Sequence, residues 1–154
     1  MIKIRRMRQE DVPGVLQVEE ESFSQPWSAR AFHMELESPI AYYLVAEDRE
    51  GKILGYAGFW GILDQGDITN IAVRKDARRA GVGRQLLEKL IHLALLRGTA
   101  RLNLEVRASN TGAIALYESF GFSQVGRRRG FYQKPEEDAL LYTLELKEGI
   151  EHVK

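Results

Sequence analysis

The strongest candidate for a binding site in this sequence is the run of arginines and glycines between Arg74 and Arg84. Gly81 and Gly83 stand among the arginines, just before a predicted helix. The first N–H groups of a helix lack partners and carry partial positive charge, glycines let the backbone approach a ligand, and arginines add full charges. Such a segment suits a pyrophosphate. It lacks the Gly-Lys-Ser/Thr of a P-loop and the third glycine of the dinucleotide fingerprint, and its spacing alone fits a connecting loop equally well.

Glu105 is the main candidate for acid–base chemistry because of the strand on which we predict it to lie. Along Arg101–Arg107, apolar residues alternate with Asn103, Glu105 and Arg107, which therefore share one face. Since this strand stands between two predicted helices, we expect parallel pairing, cover on both faces and a carboxylate that faces a cleft. An edge strand with a solvated polar face is the alternative.

The other chemistry-bearing residues have ordinary structural interpretations when taken alone. Tyr117 on a short predicted helix is typical of a buried structural tyrosine, and Asn110 of a helix cap. The three histidines His33, His92 and His152 are too scattered for a metal site or a Ser–His pair, so we predict no metal. The sequence has no cysteine, which excludes disulfides, thiolate metal ligands and a cysteine nucleophile.

Length and charge indicate one globular domain of 154 residues with 22 basic and 22 acidic side chains. Zero net charge argues against a protein that mainly binds nucleic-acid phosphates. The charge is uneven, because residues 9–50 hold ten acidic and two basic side chains, whereas residues 74–84 hold five basic and one acidic. The acidic region could attract a cationic partner, although solvated surfaces are the simpler interpretation. With no membrane-span or signal-peptide pattern, we expect a cytoplasmic protein without membrane contact.

The secondary-structure signals follow the order β-α-α-β-β-β-α-β-α-β-β, which indicates one α/β domain on a mixed sheet. Asp11, Ser28 and Asn110 are the predicted caps of three helices, and Gly98 and Gly121 are predicted helix stops. The predicted strands are Ile2–Met7, Ala41–Glu47, Ile53–Ile62, Asp67–Val73, Arg101–Arg107, Ser123–Arg128 and Ala139–Glu145, and the clearest helix is Gly83–Arg97. We assign residues 1–146 to the domain and residues 147–154 to a C-terminal tail.

The motif Arg78-x-x-Gly81-x-Gly83, between the fourth strand and the long helix, resembles the acetyl-coenzyme A signature of the GNAT superfamily of N-acetyltransferases. The resemblance covers roughly residues 2–146 and is greatest to the branch that acetylates the N-terminal alanine of bacterial ribosomal proteins. The stretches that carry it are Pro26-Trp27-Ser28, Asn70–Val73, Arg78–Leu87, Leu104–Asn110, Ala113–Glu118, Gly121-Phe122 and Glu137-Asp138-Ala139. It implies a GNAT-like single domain whose mixed, mostly antiparallel sheet has about seven strands, with about four helices.

The resemblance also implies roles for individual residues and makes acetyl-coenzyme A the cosubstrate. Glu105 would be the general base and Tyr117 the general acid. The residues expected to hold the cosubstrate are Ile71, Ala72 and Val73 through their backbone, Arg78, Arg79, Ala80, Gly81, Val82, Gly83 and Arg84 around the pyrophosphate, and Asn110. Without a cysteine, direct attack in a ternary complex is more natural than an acetyl-enzyme.

The acceptor that the resemblance implies is the N-terminal tail of a ribosomal protein, with no direct nucleic-acid contact, and we expect the protein itself to be a monomer. Two departures from the family pattern, Phe131-Tyr132 in place of two tyrosines and the longer stretch Gln133–Glu136, fall in the loop expected to touch the acceptor. Two alternatives stay open: an acetyltransferase for lysine side chains or small amines, and a non-catalytic coenzyme A-binding module.

Overall fold

The structure, a computed structural model, describes residues 1–146, and the predicted tail 147–154 lies outside these residues. Seven strands and four α-helices occur within the described range, in the predicted order, which confirms the predicted fold class. Their bounds are β1 Lys3–Arg6, α1 Val12–Ser22, α2 Ala29–Glu37, β2 Ala41–Glu47, β3 Ile53–Ile62, β4 Gln65–Val73, α3 Val82–Arg97, β5 Arg101–Arg107, α4 Thr111–Ser119, β6 Ser123–Tyr132 and β7 Glu137–Glu145. No helix within residues 1–146 has the length and apolar character needed to cross a membrane.

All seven strands form one sheet in the order β1-β2-β3-β4-β5-β7-β6, and only the pair β4–β5 is parallel. That pairing is limited to Gln65–Asp67 against Arg101–Asn103, after which the two strands separate. The expected parallel pairing is therefore confirmed only for this short stretch, and the expectation that β5 is covered on both faces was wrong. β5 pairs along its whole length with antiparallel β7, and the face that carries Glu105 borders a cleft because the cluster under α1 and α2 includes no residue of β5.

A β-bulge lies in β4 just beyond the last residue that pairs with β5. Gly58 on β3 pairs with Asn70 and the next residue, Phe59, pairs with Ile68, so Thr69 is the extra residue. A bulge bends the strand that contains it and increases its twist. The bulge therefore accounts for the departure of the end of β4 from β5.

Two apolar clusters cover the two faces of the sheet, as the helical periodicities predict. On one face, Leu86, Leu87 and Leu90 of α3 are fully buried against the sheet, together with Leu102 of β5. On the other face, α1 and α2 supply a second set of buried side chains, namely Val12, Val15, Val18 and Phe32, which pack with Tyr43 and Tyr56. The helices leave the diverging halves of β4 and β5 open on the second face, and this opening is the site described below.

Two of the three predicted caps are confirmed. Ser28 Oγ accepts the Ala31 N–H at 3.1 Å, and Asn110 Oδ1 accepts the Ala113 N–H at 3.2 Å. Asp11 precedes α1 but does not cap it, because its carboxylate accepts two hydrogen bonds from Arg5 and one from the Arg8 N–H.

Arg5 links β1 to its surroundings, since its guanidinium also donates to Glu47 at 3.0 and 3.2 Å. Hydrogen bonds from Arg5 lower the pKa of Glu47. Burial alone would raise the pKa of Asp11, but the hydrogen bonds from Arg5 and from the Arg8 N–H outweigh burial and lower it. Both carboxylates are thus stabilised as anions in the folded state.

We expect Arg5→Met to lower the free energy of unfolding at pH 7 by about 1–3 kcal/mol, because two carboxylates lose a shared partner. Since both folded-state pKa values are lowered, this stabilisation is present above about pH 4 and is lost as the pH falls through those values. Urea denaturation at pH 7 and at pH 3 measures the difference, which should shrink at pH 3. Arg49→Met, at an exposed turn position, should stay within about 0.5 kcal/mol of the parent. An equal loss at both pH values would contradict this role of the ion cluster.

Candidate active site

A cleft of about 820 Å³ opens where β4 and β5 separate. It is bounded by the α1–α2 loop and the second half of β4 on one side, and by β5, α4, β6 and β7 on the other. Four of the predicted site residues line it, namely Ile71, Glu105, Asn110 and Tyr117. The structure therefore brings the two predicted catalytic residues into one cavity, although they lie on different elements.

The free edge of β4 presents backbone groups to the gap. The Arg74 N–H donates to the Leu54 carbonyl at 2.8 Å, and hydrogen bonding alternates along an antiparallel pair. The N–H groups of Ile71 and Val73 therefore point away from β3 and toward β5, which no longer pairs with them. Ala72 instead faces β3 through its backbone. Of the three predicted backbone contacts, Ile71 and Val73 thus have groups free to meet a ligand.

The segment between β4 and α3 forms an anion cradle. Within the described residues, the N–H groups of residues 79–84 have no backbone partner, and the first such bond is from Gln85 to the Gly81 carbonyl at 3.1 Å. Arg79 and Gly81 have φ angles of 68° and 81°, in the left-handed region, and such alternation turns successive N–H groups toward a common point. This geometry, at the start of a 16-residue helix, fits a pyrophosphate group.

Two of the three arginines of the cradle, Arg78 and Arg84, are anchored at its rim. Arg78 Nε donates to the Val73 carbonyl at 3.2 Å. Arg84 reaches across to α4, where Nη2 donates to Ser119 Oγ at 3.0 Å and the guanidinium lies 5.0 Å from the centre of the Phe120 ring. The positive charges therefore flank the free N–H groups.

We expect Gly83→Val to weaken acetyl-coenzyme A binding at least tenfold while the domain stays folded. A Cβ atom at Gly83 would lie 3.5 Å from Leu116 and 3.7 Å from Val73, which are ordinary contact distances, so the fold tolerates it. The added methyl groups would project between the end of β4 and α4, beside the cradle. Calorimetric titration measures the affinity. Gly112→Val is the control, because Gly112 holds the same second position in α4 and has open space around it. Equal affinities for parent and Gly83→Val would remove the cradle assignment.

Glu105 projects from β5 into the cleft with 41% of its side chain exposed. Its nearest cation in the described chain is Arg128 on β6, with Nη1 3.8 Å from Oε1. A carboxylate held this loosely can exchange its partner for an incoming cationic group.

Tyr117 borders the cleft from α4, and only 7% of the residue is exposed. Its ring packs against Phe122 with the centroids 5.7 Å apart. Among residues 1–146 its hydroxyl has no hydrogen-bond partner, although it borders the cleft. Burial, followed by the nearby Tyr132, raises the pKa of Tyr117 well above its ordinary value, so the phenol stays protonated at neutral pH.

The β5–α4 turn beside Asn110 is held by the acidic pair Glu137 and Asp138. Glu137 accepts the Ser109 N–H at 2.5 Å, and Asp138 accepts the Gly130 N–H at 2.9 Å and Arg127 Nε at 2.8 Å. These bonds give the Glu137-Asp138-Ala139 stretch a structural role, namely fixing the turn and the β6–β7 hairpin that border the cleft.

Arg107 is a site residue that the sequence interpretation missed. Its guanidinium donates to the carbonyls of Gln133 and Pro135 at 2.9 and 3.0 Å and lies 4.5 Å from the centre of the Tyr132 ring. It thus holds the loop expected to touch the acceptor. Because its partners are mainly backbone carbonyls more than twenty residues away, only its place on the polar face of β5 hinted at a role.

The acidic region of residues 9–50 is less exposed than its composition suggests. Four of its ten acidic side chains accept hydrogen bonds from side chains of the sheet, namely Asp11, Glu19, Glu35 and Glu47. Glu19 belongs to the cleft, where burial raises its pKa. The negative charge is therefore partly inside the protein, beside the cavity.

This fold and this site define an acetyltransferase of the GNAT type. Residues 12–122 match the Acetyltransferase (GNAT) family, and the chain belongs to that family. The resemblance inferred from the sequence is confirmed.

Individual members of this family are also similar to the chain. The chain is 38% identical over 146 residues to the [ribosomal protein bS18]-alanine N-acetyltransferase of Escherichia coli strain K12, covering 94% of this chain and 97% of that protein. It is also 38% identical over 128 residues to the N-alpha-acetyltransferase RimI of Mycobacterium tuberculosis, covering 80% and 77%. The crystal structure of the ribosomal-protein-S18-alanine N-acetyltransferase from Escherichia coli superposes with a TM-score of 0.87 at 37% identity, covering 95% and 94%.

Proposed function

We propose that this chain transfers acetyl from acetyl-coenzyme A to the N-terminal alanine of ribosomal protein bS18, and that residues 1–146 carry the activity. The observation that carries the proposal is that Glu105, Tyr117 and the free edge of β4 line one cleft. The names of the relatives supply the acceptor. We also propose a cytoplasmic location, which a ribosomal protein as acceptor fits, and a monomeric enzyme.

The cosubstrate would lie between β4 and α4 with its pyrophosphate in the cradle of residues 78–84. Ile71 and Val73 would bind the pantetheine arm through their free backbone groups, and Asn110 would contact it from the start of α4. When bound, acetyl-coenzyme A supplies an acetyl thioester whose carbonyl oxygen can accept the Val73 N–H.

The acceptor would enter from the side of the α1–α2 and β6–β7 loops. Three carboxylates line the cleft, namely those of Glu19, Asp67 and Glu105. The guanidinium of Arg107, which also borders the cleft, is engaged by its loop. A cleft with this charge attracts the positively charged end of a peptide.

The proposed chemistry gives each of the two residues a separate role. A peptide α-amine has a pKa of about 8, so a proton must be removed before the nitrogen can attack, and Glu105 accepts it directly or through water. The nitrogen–carbon bond forms as the carbon–sulfur bond breaks, and the Tyr117 phenol donates to the departing sulfur. With no cysteine in the chain, direct attack within a ternary complex needs no covalent enzyme intermediate.

A peptide panel tests the function. Peptides that begin with Ala, Ser or Met, each with free or blocked lysines, are mixed with acetyl-coenzyme A, thiol release is followed, and the acetylated position is mapped by mass. We expect product on the α-amine of the bS18 peptide that begins with Ala, whether or not its lysines are blocked. Product on lysine or on small amines would mean that one of these, and not the N-terminal alanine, is the acceptor. If the protein binds acetyl-coenzyme A but releases no coenzyme A thiol with any acceptor, a binding module would be favoured.

A further inference from the structure

Glu19 is a buried carboxylate that the proposed reaction does not use. The residue is 1% exposed, and among residues 1–146 no Lys, Arg or His nitrogen lies within 4.0 Å of its oxygens. Its Oε2 accepts the Trp27 N–H at 2.9 Å, and its Oε1 accepts the Tyr56 hydroxyl. Burying a carboxylate without a cation is costly, so its place calls for a reason beyond packing.

The hydrogen bonds continue from Glu19 to β4. Tyr56, at the centre of β3, is fully buried and accepts Asn70 Nδ2 at 2.9 Å while donating to Glu19. Asn70 directly follows Thr69, the bulged residue. The result is one unbroken chain, the Glu19 network, which consists of Trp27, Glu19, Tyr56 and Asn70. Its direction is fixed, because a carboxylate only accepts and the amide nitrogen only donates.

The two ends of the Glu19 network lie beside the two proposed binding sites. Trp27 closes the α1–α2 loop, and residues 22–25 and 27 line the cleft on the side assigned to the acceptor. Asn70 directly precedes Ile71–Val73, which the cosubstrate would contact. We propose that Glu19 and Tyr56 are positioning residues that couple the two binding sites, so that a cosubstrate bound along β4 strengthens peptide binding against the α1–α2 loop. This inference rests on the proposed function, which places the acceptor there.

A second connection reaches the same bulge from α2. Glu35 accepts the Tyr43 hydroxyl at 2.7 Å, and that hydroxyl lies 3.0 Å from Thr69 Oγ1. Thr69 and the next residue, Asn70, are therefore each connected through a tyrosine to a carboxylate. The carboxylate is on α2 for Thr69 and on α1 for Asn70. Such paired ties make the helices and the bent strand move together, which is what coupling requires.

The test measures coupling directly as the ratio of two dissociation constants for the acceptor peptide, without and with saturating coenzyme A, by calorimetry. Coenzyme A carries no acetyl group, so no reaction occurs. In the parent we expect coenzyme A to tighten peptide binding at least fivefold, a typical size for coupled sites. In Tyr56→Phe, which keeps the ring but removes the hydroxyl, the ratio should fall below twofold. Tyr42→Phe is the control, because its hydroxyl meets Arg97 outside the network.

A reversal of hydrogen-bond direction separates coupling from simple loss of packing. In Glu19→Gln the amide can still accept the Trp27 N–H, but its NH₂ and that of Asn70 then both point at Tyr56, whose proton has no acceptor. The ratio should fall as in Tyr56→Phe. Adding Asn70→Asp lets Gln donate to Tyr56 and Tyr56 donate to the new carboxylate, so the ratio should recover.

Three results would overturn the inference: a parent ratio below twofold, an unchanged ratio in Tyr56→Phe, or a double variant no better than Glu19→Gln. The peptide used is one that the parent acetylates. Failure of the proposed function would instead appear in the panel, as absence of product on the alanine α-amine.

Discussion

Glu105→Gln is expected to lower kcat/KM at pH 7 by about 10²–10⁴-fold, the usual contribution of a general base, while acetyl-coenzyme A affinity stays near that of the parent. The amide keeps the shape of the side chain but cannot accept a proton. The deficit should shrink as the pH rises, because above about pH 8 the amine arrives already deprotonated.

A pH–rate profile from about pH 6 to about pH 9.5 checks this expectation, since it spans the pKa of a model α-amine. Glu88→Gln, an exposed change of the same type on α3, is the control for the altered net charge and should run parallel to the parent. A Glu105→Gln curve that is also parallel would remove Glu105 from proton transfer. The fold and the cradle would then stand, and another group or water would be the base.

Tyr117→Phe is expected to lower kcat by about 100-fold or more with little change in acetyl-coenzyme A affinity, because the ring still packs against Phe122. The raised pKa of Tyr117 shapes this expectation. A free thiol has a pKa of about 8.5, so complete transfer of the phenolic proton to sulfur is uphill. We therefore expect the phenol to act mainly as a hydrogen-bond donor to sulfur as the carbon–sulfur bond breaks.

Single-turnover kinetics with a saturating peptide isolate the chemical step of Tyr117→Phe. Tyr42→Phe removes a hydroxyl from a tyrosine outside the cleft and should retain kcat within about twofold. A loss of less than about tenfold in Tyr117→Phe, or a loss confined to thermal stability, would mean that the tyrosine is structural.

Local sequence signals were enough to predict the order of the elements. Ser28 and Asn110 cap helices as predicted, since a cap depends on residues within one turn. Long-range pairing was not predictable, because nothing in β5 indicates that its partner along its whole length is β7, some thirty-five residues later. The prediction of two covered faces failed because α1 and α2 pack against β2, β3 and β4 but not against β5, which is also a long-range feature.

For the site, too, features that depend on neighbouring residues were predictable, whereas contacts between distant residues were not. The cradle follows from arginines and glycines beside a helix start, whereas placing Glu105 and Tyr117 in one cleft required the family resemblance. Glu19 looked like a surface charge among its acidic neighbours, and only the packing of α1 against β3 reveals it as buried. Arg107 stayed hidden because its partners are carbonyl groups of a distant loop.

The two halves of the sheet, which meet at β4 and β5, are joined by few backbone hydrogen bonds but by many packed side chains. Only three residue pairs join β4 to β5, whereas the cluster on the α3 face is continuous across both strands. At the vertex, Gly66 has no side chain, and a Cβ there would come within 2.7 Å of Leu102. The opening angle of the cleft is therefore set by buried volume. Natural variation could widen or narrow the active site by exchanging apolar residues at this vertex, leaving every polar group that touches a substrate unchanged.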